Sequence, residues 1–227
     1  MVTLAIDTAT RTLAVALVQE NKVLAEAAEP AAQSHAERLP ALLAELSQKS
    51  GIARENINLV AVGVGPGAYT GLRVGLMFAK TFARAREIDL VGICTHDVIA
   101  PDNYTGIVIT DARRKEVYFS TYESGVRIAG PIVIRPTDIE TNNSVIIGDG
   151  VSVFPDIFPT GIPTSISAGV LGQRVNNLLA AGVVVSEVVP QLTLASSDGS
   201  GSLPSNAGPL LSAFPLYLRR PDVMEPK

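Results

Sequence analysis

Two stretches of this 227-residue chain carry residue types and spacings with chemistry in them. The first is Asp7-Thr8-Ala9-Thr10, which follows the apolar run Leu4-Ala5-Ile6. An acid at a strand end, followed by hydroxyls in a turn, can hold Mg²⁺ or order a phosphate-bound water. The same acid can instead cap its own turn, which Asp does readily. The second is residues 63–75, Gly-Val-Gly-Pro-Gly-Ala-Tyr-Thr-Gly-Leu-Arg-Val-Gly. Gly65 and Gly67 permit backbone angles and close approaches that a side chain forbids, and Pro66 fixes a torsion between them. An apolar strand, Leu59–Val64, enters this turn and a helical pattern, roughly Thr70–Ala85, leaves it. Such a unit aims backbone N–H groups and a helix dipole at one spot, as phosphate sites do. A tight turn that packs a helix onto a sheet gives the same pattern. It is not a P-loop: Gly65 and Gly71 are one residue too far apart, and Leu72-Arg73 stands where Lys-Ser/Thr is required.

Other reactive residue types find no partners in the sequence. His35 and His96 are the only histidines. A metal site needs several ligands in register, and neither histidine has a second one at helical spacing. No Gly-x-Ser-x-Gly elbow occurs, so no serine reads as a nucleophile. Cys94, the one cysteine, reads as a small buried hydrophobe on the strand Leu90–Ile93 and suits a reducing cytosol.

The elements that must position these residues follow from periodicity. Three strands come first, Val2–Ile6, Leu13–Val18 and Val23–Ala28. Gln33–Ser50 is helical, with Leu39, Leu42, Leu43 and Leu46 on one face and Pro40 inside the run. After the glycine turn and its helix come the strand Leu90–Ile93 and a short helix, Asp97–Ala100. This βββαβαβ order completes a first lobe, residues 1–102. Strands resume at Gly106–Thr110, Glu116–Tyr122, Val126–Ile134 and Ser144–Ile147, and Leu171–Ala181 reads as a helix. Residues 103–227 thus form a smaller second lobe. Ser196–Gly208 is a linker on composition, and residues 210–220 are expected to return to the first lobe.

The helix after the glycine turn is apolar nearly all round, so more than one of its sides is buried. Gly71, Gly75, Ala79 and Ala83 recur every four residues and form a small-residue stripe. A second helix can pack closely into such a groove. That helix could belong to this chain, as Gln33–Ser50, or to a partner.

Composition bounds the rest. Hydrophobic residues make up 47% and charged residues 18%, the balance of a globular chain. No stretch is apolar and long enough to span a membrane, and the start lacks a basic leader. Net charge is −4 and the pI near 5.2, whereas a protein that grips a phosphate backbone alone is usually basic. Arg113-Arg114-Lys115 and Arg219-Arg220 are the only tight basic clusters.

Four motifs occur in order: Asp7-Thr8-Ala9-Thr10, the block Gly65–Gly75, Asp111-Ala112-Arg113-Arg114-Lys115-Glu116-Val117-Tyr118, and Tyr217-Leu218-Arg219. With His35 and Leu39-Pro40 at the first helix, they make the chain resemble the TsaB (YeaZ) family over nearly its whole length. Ala68-Tyr69 departs from the Ser-Phe common in that family. The resemblance implies an α/β protein of the actin-like ATPase (ASKHA) fold, two-lobed with a reduced second lobe. It implies a non-catalytic, cytoplasmic subunit for making N6-threonylcarbamoyladenosine at position 37 of tRNA. The implied partners are a TsaD-like catalytic paralogue, a TsaE-like ATPase and, when alone, a second copy, with tRNA met only through the complex. No cofactor is required, and ATP or ADP with Mg would act at the level of the complex. The resemblance places the subunit interface on the first two helices, through Leu42, Leu46, Gly71, Gly75, Ala79 and Ala83. Candidate nucleotide-binding residues are Asp7, Thr8, Gly65, Gly67 and Asp111. Asp111 mirrors Asp7 at the end of the second lobe's first strand, and its other reading is a local ion pair with the neighbouring arginines. The rival functions are a small actin-like phosphotransferase or ATPase and, against the missing ligand pair, a metallopeptidase.

Overall fold

The computed structural model describes residues 1–30, 35–186 and 208–218. Strands β1 (Val2–Asp7), β2 (Thr12–Gln19) and β3 (Lys22–Pro30) form an antiparallel meander. Helix α1 (His35–Ser50), with Pro40 inside it, leads to β4 (Leu59–Gly63). Helix α2 (Tyr69–Arg86), strand β5 (Asp89–Ile93) and helix α3 (Thr95–Ile99) follow. β4 lies parallel to β1, and β5 parallel to β4. Then come β6 (Gly106–Asp111), β7 (Val117–Glu123), β8 (Val126–Ile134), β9 (Ile146–Ile147), α4 (Gly150–Val153), α5 (Ala168–Ala180) and β10 (Leu210–Leu211). The first sheet runs β10-β5-β4-β1-β2-β3 and the second β8-β7-β6-β9. The second sheet thus repeats the 3-2-1-4 order of the first and stops two strands short, with no counterpart of β5 or β10 among the described residues. This is the expected actin-like arrangement with a reduced second half.

Side-chain size sorts the two faces of the first sheet. Alternate residues of β1 and β2 point to opposite faces. Leu4, Ile6, Leu13, Val15 and Leu17 enter one core with α1 and α2. Ala5, Ala14, Ala16 and Val18 enter another with Leu171 and Val175 of α5. The small side chains let α5 lie close to the sheet. A Cβ at Gly172 would stand 2.7 Å from Val18, tighter than side chains tolerate. Buried Thr3 Oγ1 donates to Asn176 Oδ1 at 2.7 Å, which fixes the register of this helix.

The division of the chain at residue 102 therefore needs correcting for α5, which packs on β1, β2 and β3 of the first sheet. Leu210–Leu211 also joins that sheet, antiparallel to β5, and Leu216 N–H donates to the Val64 carbonyl at 2.8 Å. Residues 196–207 of the expected linker, and Arg219-Arg220, lie outside the described residues. No described helix is long and apolar enough to cross a membrane.

Candidate functional site

The structure brings Asp7, Thr8, Gly65 and Gly67 together where the β1–β2 turn meets the start of α2. Asp7 ends β1 fully buried. Its Oδ1 accepts the Ala9 N–H at 2.8 Å and its Oδ2 accepts the Thr95 hydroxyl at 2.7 Å. Any side chain at Gly63 would collide with this carboxylate. Burial pushes the Asp7 carboxyl up to about 6, with the Ala9 and Thr95 hydrogen bonds pulling it partly back. Thr8 Oγ1 donates to the Gly71 carbonyl at 2.7 Å.

The glycines of the turn and of α2 serve this contact. A Cβ at Gly67 would strike the backbone of Ala9, and one at Gly75 would strike Thr8 Oγ1. Gly65 has φ +104°, a conformation that L side chains rarely adopt. The glycine turn thus packs a helix tightly against a hairpin.

Asp111 stands across the cleft in the second lobe, its carboxylate 5% exposed. It accepts the Arg113 N–H at 2.8 Å and pairs with the Arg113 guanidinium at 3.2 Å. Arg11 approaches it from the first lobe at 3.9 Å. Asp149 completes the group. It accepts the Asp111 N–H at 3.0 Å and the Arg11 N–H at 3.4 Å, and burial raises its pKa. Sequence reasoning missed Asp149, although Gly148-Asp149-Gly150 carries a glycine-flanked acid that could have flagged it.

Both cleft acids are thus engaged by the chain's own donors. A Mg²⁺–phosphate would have to displace Ala9 N–H and Thr95 from a carboxylate that reaches no solvent, so the residues as arranged do not fit that group. Among the described residues no three His, Cys, Asp or Glu cluster as a metal site. His96 is buried with both ring nitrogens engaged by hydroxyls, and burial pushes its pKa down to about 3. The His35 side chain lies outside the described residues. Cys94 is buried, and its thiol is pushed up to about 12 by that burial. A separate groove of about 720 Å³ lies between α5 and the β7–β8 turn, lined by Asp97, Arg127 and Arg174 among others and by none of the candidate site residues.

Asp7→Asn tests the structural role of the acid. A folded pKa near 6 against an ordinary 3.8 means that ionised Asp7 opposes folding at pH 7. Asn keeps an acceptor for Ala9 N–H and offers an amide to the Thr95 hydroxyl. Denaturant titration at pH 7 is expected to show a gain of roughly 1–3 kcal/mol. A loss of stability would mean that the charge itself holds the turn.

The helix stripe needs a second correction. Gly75, Ala79, Ala83, Leu42 and Leu46 are buried inside the chain, and Gly71 lies against Thr8. They join α1, α2 and the first sheet in one core, so they do not form an open seam. The outward side of α2 carries Tyr69, Arg73, Met77, Thr81 and Arg84, with Met77 58% exposed. The Tyr69 and Tyr217 rings lie 4.7 Å apart, with Arg73 over Tyr69 and Lys80 over exposed Phe214. α2 contains four basic residues and no acid.

The family model described as TsaD, tRNA N6-adenosine threonylcarbamoyltransferase, matches residues 21–191. An uncharacterized protein of Mycobacterium leprae is 38% identical over 74% of this chain and 50% of its own length. The tRNA threonylcarbamoyladenosine biosynthesis protein TsaB of Bacillus subtilis is 33% identical over 54% of this chain and 56% of its own. The chain therefore spans about half the length of these two curated relatives. TsaB of Escherichia coli is 29% identical over 68% of this chain and 74% of its own. The solved YeaZ from Pseudomonas aeruginosa superposes with TM-score 0.69 over 96% of this chain and 99% of that one, at 22% identity, and establishes the fold. The chain belongs to the threonylcarbamoyltransferase family that this model describes and, within it, to the TsaB (YeaZ) family.

Proposed function

We propose that this chain is a non-catalytic scaffold subunit in the synthesis of N6-threonylcarbamoyladenosine at position 37 of tRNA. TsaB-named relatives support the pathway. The observation that carries the scaffold role is the outward face of α2, where Tyr69, Arg73 and Met77 lie open on a helix whose inner side is already packed. A half-apolar, half-cationic face of this kind suits a partner protein with an apolar, acidic surface. That partner is a TsaD-like catalytic subunit, or a second copy when the chain is alone, and the pair offers a surface to a TsaE-like ATPase. The interface sits on the outside of the helix, not on its small-residue stripe. The engaged state of Asp7 and Asp111 favours this reading over a phosphotransferase or ATPase. ATP or ADP with Mg acts at the level of the complex, and this chain requires no cofactor. The acidic pI favours tRNA contact through the complex. The chain works in the cytoplasm.

The test is reconstitution with threonylcarbamoyl-AMP and tRNA. Modified tRNA is expected only when a TsaD-like partner is added. Product from the pure chain, or ATP turnover by it, overturns the scaffold role.

A further inference from the structure

The second sheet meets the first lobe through Val108 and Ile147, which share a core with the first sheet, and through a row of hydroxyls. Residues i, i+2 and i+4 of a strand share a face, and on β7 these are Tyr118, Ser120 and Tyr122. All three are buried, and each bonds to the first lobe. Tyr118 OH donates to the Gly67 carbonyl at 3.0 Å, Ser120 Oγ meets His96 Nδ1 at 2.8 Å, and Tyr122 OH donates to Asp97 Oδ1 at 2.6 Å. The flanking strands add to the row. Thr110, opposite Tyr118 on β6, meets His96 Nε2 at 2.8 Å. Arg127, opposite Tyr122 on β8, donates to Asp97 at 2.8 Å.

On the first-lobe side the receiving groups are consecutive. Thr95 holds Asp7 at the end of β1, His96 holds β6 and β7, and Asp97 holds β7 and β8. The alternate side chains Val117 and Phe119 turn to the second lobe's own core with Ile107 and Ile109. So the face of β7 that meets the first lobe is the polar one. Apolar surfaces tolerate sliding, whereas buried polar groups must each keep a partner of fixed geometry.

We infer that Thr95-His96-Asp97 and the hydroxyl row of β7 form an inter-lobe lock that holds the two sheets at one angle and ties the second lobe, through Tyr118, to the turn from which α2 starts. Two-lobed folds can hinge around a ligand. In this chain three strands of the second sheet would have to release α3 and the glycine turn together. The lock is independent of the pathway and of any partner.

The experiment measures the angle between the lobes. Cysteines replace exposed Gln48 on α1 and Ser152 on α4, and spin labels on them report one inter-lobe distance, because Cys94 is buried. The full chain is expected to give a single narrow distance distribution that Mg-ATP does not move. The triple variant Tyr118→Phe, Ser120→Ala, Tyr122→Phe keeps the rings and removes the hydroxyls. It is expected to broaden that distribution and to speed amide exchange about tenfold over residues 65–72 and 95–99. If the triple variant does not fold, Tyr118→Phe alone should speed exchange at residues 65–72 and leave β2 and β3 unchanged. A wild-type distribution that is broad or shifts with Mg-ATP overturns the lock, as do variants that match the wild type.

Discussion

Ala79→Arg is expected to leave no cooperatively folding protein. Ala79 is 0% exposed in the core between α1, α2 and the first sheet. An arginine there overfills a packed site and buries a charge without a partner. Together these amount to something on the order of 5 kcal/mol, comparable with the whole stability of many domains. Helix propensity does not rescue the variant, because Arg is already a good helix former and the loss lies in packing. Met77→Arg, two residues away on the same helix, is the contrasting variant. Met77 is 58% exposed, so the change should move stability by no more than about 0.5 kcal/mol. On the proposed interface it removes apolar contact and adds a fifth positive charge, so self-association and TsaD-like partner binding should both fall. Thermal melts run beside size-exclusion with light scattering read both effects. A folded, monomeric Ala79→Arg would return the interface to the small-residue stripe. A Met77→Arg chain that still pairs normally would remove it from the outer face.

That contrast shows how far periodicity reaches. β1 to β9 and α1, α2, α3 and α5 stand within a few residues of their sequence-based positions, because apolar runs such as Leu13–Val18 and the Leu39–Leu46 spacing are strong local signals, whereas the short α4 and β10 had none. A helix that is apolar on nearly every side, as α2 is, gives no local sign of which face meets the sheet. The deciding contacts, Thr8 to Gly71 and Gly75, join residues more than sixty positions apart. The position of α5 was hidden for the same reason. Its close approach depends on Gly172 meeting Val18 and Ala5 and on Gly169 meeting Val23 and Glu26, and each set looks unremarkable by itself. His96 offered no metal partner in sequence, and that absence gave no hint of Thr110 and Ser120, since hydroxyls are too common to single out. The Asp7 turn was legible as a pair of alternatives, and its bond from Thr95, eighty-eight positions away, had no local signal.

The stability of this chain is expected to change little between pH 6 and pH 4 because two buried groups oppose one another there. His96 lies among Thr110, Ser120 and the Arg127–Asp97 pair. Burial first, then the Arg127 charge, pushes its pKa from 6.5 down to about 3. The unfolded chain takes up this proton below pH 6.5 and the folded chain does not until about 3, so stability due to neutral His96 is full above 6.5 and is lost as pH falls. The loss runs at about 1.4 kcal/mol per pH unit, on the order of 5 kcal/mol in all. Asp7 works in the other direction. Its folded carboxyl takes a proton near 6 and its unfolded one near 3.8, so acidification between those values stabilises the fold by roughly 3 kcal/mol. Each single variant should uncover the other group's slope. Asp7→Asn should lose stability steadily from pH 6 to 4, and His96→Gln should gain it over the same range. Other titrating carboxylates, such as Glu29, which pairs with Arg38, are common to all three proteins and cancel in the differences. Denaturant midpoints across this range decide the matter. If the wild-type and His96→Gln curves run parallel, His96 is not held neutral. If the wild-type and Asp7→Asn curves run parallel, Asp7 is not the buried carboxyl that opposes it.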